Sequence, residues 1–191
     1  MSDLFHKHIP RDFVDAVFAT MEAATWHTFQ ILTKRSSLMR RYVNERYAEK
    51  TAPAHLWFGV SIECRDAMVR LRHLRETQCA VRFLSLEPLL EDLGGLNLNN
   101  IHWVIAGGES GPFARSVKPE WVRKIRDECV QQRVSFFFKQ WGGVTAKSGG
   151  NRLDGRKWQQ YPSAGNELTM GHDRGKGRPR PLQTVHASEP C

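Results

Sequence analysis

The amino-acid sequence predicts an α/β protein built on a parallel sheet: an incomplete (β/α) barrel or open half-barrel, followed by a basic C-terminal tail. Three observations predict it. Apolar runs that read as strands alternate with amphipathic helical patterns. The strand starts, near residues 28, 56, 81, 101 and 134, lie 28, 25, 20 and 33 residues apart, the length of a strand plus its return helix. Runs such as Leu56-Trp-Phe-Gly-Val60 and Trp103-Val-Ile-Ala106 are apolar at consecutive positions, as expected of strands covered on both faces. Five such units fit a doubly wound sheet as well as part of a barrel. Short connections and right-handed crossovers favour strands adjacent in sequential order, without a switch point.

In chain order, Pro10 stands at a first helical turn, and Phe13, Val14, Val17, Phe18 and Met21 give an amphipathic helix over residues 11–24. His27 to Thr33 reads as a strand, and Leu38, Met39, Tyr42, Val43 and Tyr47 mark the second helix. Leu56 to Ser61 is a strand, 65–77 a helix carrying Met68, Leu71 and Leu74, and Val81 to Leu86 and Ile101 to Ala106 are strands. Trp121, Val122, Ile125 and Cys129 define the next helix, and Val134 to Phe138 the last strand. Leu153-Asp-Gly-Arg-Lys-Trp158 carries an Asp-Gly turn and reads as a small hairpin that closes a domain over 1–162. From Ser163 to Cys191 apolar residues are few and Gly, Pro and Arg cluster, which predicts a disordered basic tail over 163–191.

The 191 residues carry 28 Lys and Arg against 20 Asp and Glu, a net charge of +8, with 40% hydrophobic residues. This excludes a collagen-like chain, a wholly disordered chain and a disulfide miniprotein. No run reaches the roughly 18 apolar residues of a membrane span, and the N-terminus has no secretory pattern, so a cytoplasmic protein is expected. Cys64, Cys79, Cys129 and Cys191 stand 15, 50 and 62 residues apart, with no C-x-x-C pair, so no metal site is expected.

In parallel architectures the site is built at the carboxyl ends of the strands. Here those ends are polar: Thr33-Lys34-Arg35, Ser61-Ile62-Glu63, Ser85-Leu86-Glu87-Pro88, Gly107-Gly108-Glu109-Ser110-Gly111 and Lys139-Gln140-Trp141-Gly142. Ser61 and Glu63, like Ser85 and Glu87, are two apart and so share one face of an extended strand. Any one of these residues is accounted for by capping of the following helix. Capping does not call for Glu after three strands together with Lys34, Arg35 and Lys139 after the others, so the set points to one mouth.

Glycines after a buried strand let backbone N–H groups approach a ligand, which makes Gly107 to Gly111 the most informative loop. It lacks G-x-G-x-x-G and the Walker lysine, and Glu109 would repel a phosphate. A carboxylate among glycines suits an ammonium or hydroxyl group; a structural turn fits the same residues equally well.

Met1-Ser-Asp-Leu-Phe-His6, Phe29-Gln-Ile-Leu-Thr-Lys-Arg35, Phe58-Gly-Val-Ser-Ile-Glu63, Arg82-Phe-Leu-Ser-Leu-Glu-Pro-Leu-Leu90, Trp103-Val-Ile-Ala-Gly-Gly-Glu-Ser-Gly111, Phe136-Phe-Phe-Lys-Gln-Trp-Gly142 and Leu153-Asp-Gly-Arg156 follow one another in order and spacing. Together they resemble a phage and prophage family of unknown function, known for an N-terminal three-cysteine motif and considered radical-SAM-like. The resemblance covers residues 1 to 162. For intact relatives it implies S-adenosylmethionine and a [4Fe-4S] cluster held by the three cysteines. This chain begins after that segment and looks N-terminally truncated, so no cofactor is expected for it, and it is expected to be inactive as given. Within the resemblance, Glu63, Glu87 and Lys139 take the catalytic places and handle protons. Gly107, Gly108, Glu109, Ser110 and Gly111 take the cofactor-binding places, and Lys34, Arg35, Ser61, Ser85 and Gln140 bind substrate. Gly107-Gly108-Glu109 also resembles the Gly-Gly-Glu of radical enzymes that holds the methionine amino group, although there the motif follows an early strand.

A second reading is a nucleic-acid-binding accessory protein, from the +8 charge, Arg40, Arg41, Arg70, Arg72 and the arginine-rich tail. Exposed sheet edges left by absent strands would favour self-association.

Overall fold

A computed structural model describes residues 3–145 and 148–162. The first helix, α1 (Arg11–Ala23), starts after Pro10 with Asp12 in its first turn, where a carboxylate complements the helix dipole. Its buried residues Val14, Phe18 and Met21 form one stripe. The strand β1 (Phe29–Thr33), the helix α2 (Ser36–Arg46) and the strand β2 (Ala52–Ser61) follow. A 3-10 turn over Arg65–Met68 runs into the short α3 (Val69–Arg75), where one continuous helix was expected. Then come β3 (Cys79–Leu86), β4 (Trp103–Gly107), α4 (Pro119–Gln131) and β5 (Ser135–Gln140). The sheet order is β1-β2-β3-β4-β5, and the registered pairs are parallel, the sequential order the short crossovers favour.

The expected return helix between β3 and β4 is not formed. After a cis Glu87–Pro88 bond the chain stays irregular, with a left-handed turn at Gly94 (φ +79). Leu89, Leu93, Leu96 and Leu98 are nonetheless buried. α4 supplies the missing backbone partners. Glu128 accepts from Leu96 N–H at 3.0 Å, and Gln132 both accepts from Leu98 N–H and donates to Leu96 O at 2.7 Å. Burial raises the Glu128 carboxyl against this loop.

The described residues divide into two compact units, 3–60 with 70–82, and 61–69 with 83–162 apart from 146 and 147. In the first, β1 and β2 run in register from Phe29 opposite Leu56 to Thr33 opposite Val60. The core here is aromatic: Phe18 packs on Tyr42 at 4.7 Å and on Phe58 at 6.2 Å between ring centroids. Ion pairs tie α1 to α2, with Arg46 donating through two nitrogens to Glu22, each at 2.8 Å, and Tyr47 also donating to Glu22.

In the second unit, Leu84, Leu86, Val104, Ala106, Phe136 and Phe138 form the fully buried face of β3 to β5. Trp158 packs on Phe136 there, and Arg126 of α4 lies over the Trp158 ring. Alternation puts Phe83, Ser85, Trp103, Ile105 and Phe137 on the opposite face. The hairpin forms as expected from β6 (Arg152–Leu153) and β7 (Arg156–Lys157) around Asp154 and Gly155, both at positive φ. The chain then pairs antiparallel with the outer edge of β5: Phe138 N–H donates to Trp158 O and Gln160 N–H to Phe136 O. That edge is therefore covered rather than open. The expected tail, 163–191, lies outside the described residues.

Candidate functional site at the carboxyl ends of the strands

Ser85 and Glu87 follow one another on the face of β3 opposite the fully buried one, as do Ile105 and Gly107 on β4. On β5 the register shifts: Ala106 faces Phe138 but Gly107 faces Gln140, so Lys139 is the extra residue of a β-bulge. A bulge re-aims side chains. Here Lys139 Nζ donates to Glu87 Oε2 at 2.9 Å, while Gln140 Nε2 donates to Ser110 Oγ at 2.8 Å and reaches Glu87 Oε1 and Gly108 O at 3.4 Å.

Glu87 and Lys139 belong to strands with β4 between them, roughly 9.5 Å apart at normal strand spacing. The end of β4 between them is Gly107. A methyl group at Gly107 would lie 3.4 Å from both Cγ and Cδ of Glu87, so the carboxylate arm passes directly over the glycine. The Glu87 side chain is 18% exposed and that of Lys139 52%, which leaves the pair open to a ligand from one side.

β2 brings Ser61 and Glu63 alongside. Ile62 N–H donates to Ser85 O, which keeps the end of β2 in step with β3, and Leu90 N–H donates to Glu63 O. Ser61, Glu63 and Ser85 are all buried. Among the expected site residues, Ser61, Glu63, Ser85, Glu87, Ser110, Lys139 and Gln140 thus lie at the carboxyl ends of β2 to β5.

The glycine loop has a different internal role. Gly108 N–H donates to Gln140 O, Gly143 N–H to Glu109 O and Gly111 N–H to Gly143 O, all at 2.9 Å. A Cβ at Gly108 would stand 1.9 Å from Trp141 O, and one at Gly142 2.0 Å from Glu109 O. Glycines at both positions let two main chains touch. Glu109 is held in a fork by Arg115, whose Nε and Nη2 each donate at 2.8 Å and whose backbone N–H donates at 2.9 Å. These bonds pull the Glu109 carboxyl down to about 2. Within the chain, the partner of Glu109 is the Arg115 guanidinium. Arg115, the Lys139 bulge and the antiparallel cover of β5 escaped the sequence reading; the only signal for Arg115 is a basic residue six positions after a glycine-flanked Glu.

Residues 1–162 match the family described as Protein of unknown function (DUF5131). The chain belongs to that family. No curated protein and no solved structure matches it. The family match ends at Pro162, after the segment that covers β5.

Within the same matched region, the end of β1 is organised by Asp3, which the sequence reading passed over. Its carboxylate accepts from Thr33 Oγ1 at 2.7 Å, from Arg35 Nη1 at 2.8 Å, and from the backbone N–H groups of Phe5 and Lys34. Lys34 and Arg35 are therefore fixed at a strand end, with Arg35 engaged by Asp3. Of the arginines in the nucleic-acid reading, Arg40 pairs with Glu76.

Cys79 is the first residue of β3, and Cys129 lies near the end of α4. Burial pushes the Cys79 thiol up to about 11 and the Cys129 thiol higher still, so both are protonated near neutral pH. Cys64 is half-buried. Among the described residues, no group of three His, Cys, Asp or Glu side chains is arranged to hold a metal ion. These thiols do not fit a three-thiolate cluster set. No described helix is long and apolar enough to cross a membrane.

Proposed function

We propose that the chain is an α/β enzyme scaffold that takes a polar small molecule at the carboxyl ends of β2 to β5, with Glu87 and Lys139 as its binding and orienting pair. One observation carries this reading: the ion pair formed across Gly107 by residues two strands apart, with Gln140 and Ser110 beside it. The bulge at Lys139 aims its ammonium back at Glu87 across the intervening strand, which gathers an anion, a cation and two neutral polar groups at one strand end. The finer reading treats the sheet as an arc of a (β/α) barrel, supported by its sequential strand order, and the family as phage-borne and radical-SAM-like, supported by the motif resemblance. Because the described thiols do not fit the cluster, the role proposed for this chain is confined to binding and orientation. Glu87 accepts and Lys139 donates hydrogen bonds to the ligand.

The test is an NMR screen of the 191-residue chain against amino acids, nucleosides and sugars. Binding should perturb the amides of Gly107, Gly108, Ser110 and Gln140, and Glu87→Ala should weaken it at least tenfold. Ligands that perturb only other regions, or that bind Glu87→Ala and Lys139→Met as tightly as the parent, would refute the proposal.

A further inference from the structure

A second concavity lies in the first unit, beside the N-terminal segment. Its formation follows from the N-terminal segment. Asp3 and Phe5 are linked by a side-chain-to-backbone bond, and successive turns at His6 and Ile9 lead the chain to α1. Phe5 is buried against Phe18 and Tyr42, so the segment lies folded onto α1 and α2. Between segment and helices remains a half-open cavity of about 260 Å³, lined by Leu4, Phe5, Ile9, Val14, Leu38 and Tyr42 together with His6, Lys7, Arg11 and Arg41.

Two features of this lining point to a ligand. The floor is continuous apolar surface: Phe5, Val14 and Tyr42 are buried, and Leu4, Ile9 and Leu38 are only partly covered. The Tyr42 hydroxyl donates to Asp15 at 2.6 Å, and Arg11 lies over its ring at 4.7 Å. The charged residues are all basic, and no carboxylate lines the cavity. Arg11 is neutralised by Glu45 at 2.8 Å and Asp15 at 3.6 Å, but Lys7 and Arg41 have no carboxylate partner among the described residues. Desolvation and the charges of Arg35, His8 and Lys7 lower the His6 pKa, which keeps its ring neutral and able to exchange hydrogen bonds at the rim.

We propose that this cavity binds a small amphipathic anion, an apolar body in the Leu4–Ile9–Leu38 floor with a carboxylate held between Lys7 and Arg41. The size fits a small ligand, since the volume falls below the roughly 300–1,000 Å³ of sites for drug-sized molecules. The two recognition elements are those of small-molecule sites generally, apolar area for affinity and a few charged groups for orientation. The proposal is independent of the carboxyl-end site, which shares none of these residues.

Octanoate is the probe, titrated by calorimetry into the full chain, with octanamide as the uncharged control. Octanoate should bind saturably, at least tenfold more tightly than octanamide, and more weakly as salt is raised. Lys7→Glu with Arg41→Glu, both exposed positions, should lower octanoate affinity at least tenfold. Arg72→Glu, an exposed α3 position outside the lining, should leave it within twofold. Equal binding of octanamide, an unchanged affinity in the double variant, or equal losses in Arg72→Glu would overturn the proposal. So would binding to phosphatidylglycerol vesicles without binding of monomeric octanoate.

Discussion

Replacing Gly108 by alanine is the sharpest perturbation the fold offers. The new methyl would stand 1.9 Å from Trp141 O, 2.7 Å from Trp141 C and 2.9 Å from Val117 Cγ1. Ordinary contact begins near 3.4 Å, so the loops after β4 and β5 must part by about 1.5 Å, from 3.4 − 1.9. They cannot do so and keep the bonds from Gly108 to Gln140, Gly143 to Glu109 and Gly111 to Gly143. Overpacking together with two or three weakened hydrogen bonds should cost roughly 2–4 kcal/mol, a large part of a typical domain's stability. The control is Gly94→Ala, where φ is +79 but nothing lies within 4 Å of the added methyl. That change should cost only about 1–2 kcal/mol, from backbone strain alone. Urea denaturation followed by circular dichroism measures both. A Gly108→Ala chain within 0.5 kcal/mol of the parent by the linear extrapolation would refute the close packing of these loops.

Further outcomes follow from the same contacts. Glu109 should titrate near pH 2 by carboxyl-carbon NMR, and Arg115→Gln should return it toward about 4.3. Because its folded pKa is depressed, the Arg115 fork supports the fold fully above the unfolded carboxylate value and loses that support as pH falls toward 2; a parent midpoint near 4 would contradict it. Among Cys64, Cys79 and Cys129, iodoacetamide at pH 8 should modify Cys64 first, since the other two are buried thiols with raised pKa values; mass spectrometry showing Cys129 labelled at the same rate would count against their placement. Anaerobic reconstitution with iron and sulfide should give no stoichiometric [4Fe-4S] signal by EPR, and a cluster that cleaves S-adenosylmethionine on reduction would reverse that expectation.

Much of the sheet was legible because its strands are nearly continuous apolar runs. The spacing gave β1, β3, β4 and β5 within a few residues, and the Asp154-Gly155 turn announced the hairpin. β2 begins at Ala52, earlier than Leu56, because Pro53 and His55 interrupt the apolar pattern without leaving the extended conformation. The β3–β4 connection misled for a physical reason. The strand spacing alone implied a return helix there, but Pro88, Gly94 and Gly95 resist one, and the side chains of Glu128 and Gln132, more than thirty residues away, satisfy the backbone instead. The strand-end residues themselves were visible as polar ends of apolar runs. How Lys139 and Glu87 meet was not, since a bulge depends on pairing between strands, and the Asp3 and Arg115 contacts depend on loops brought together only by the fold.

Carbodiimide cross-linking tests whether Glu87 and Lys139 meet across Gly107 at one open site. The reagent joins a carboxylate and an amine only when they touch, and these stand 2.9 Å apart with Lys139 half exposed. Peptide mapping should find an amide bond between Glu87 and Lys139 in the parent chain, and none in Glu87→Gln. A parent chain in which Lys139 couples to other carboxylates, with no Glu87 product, would contradict the account.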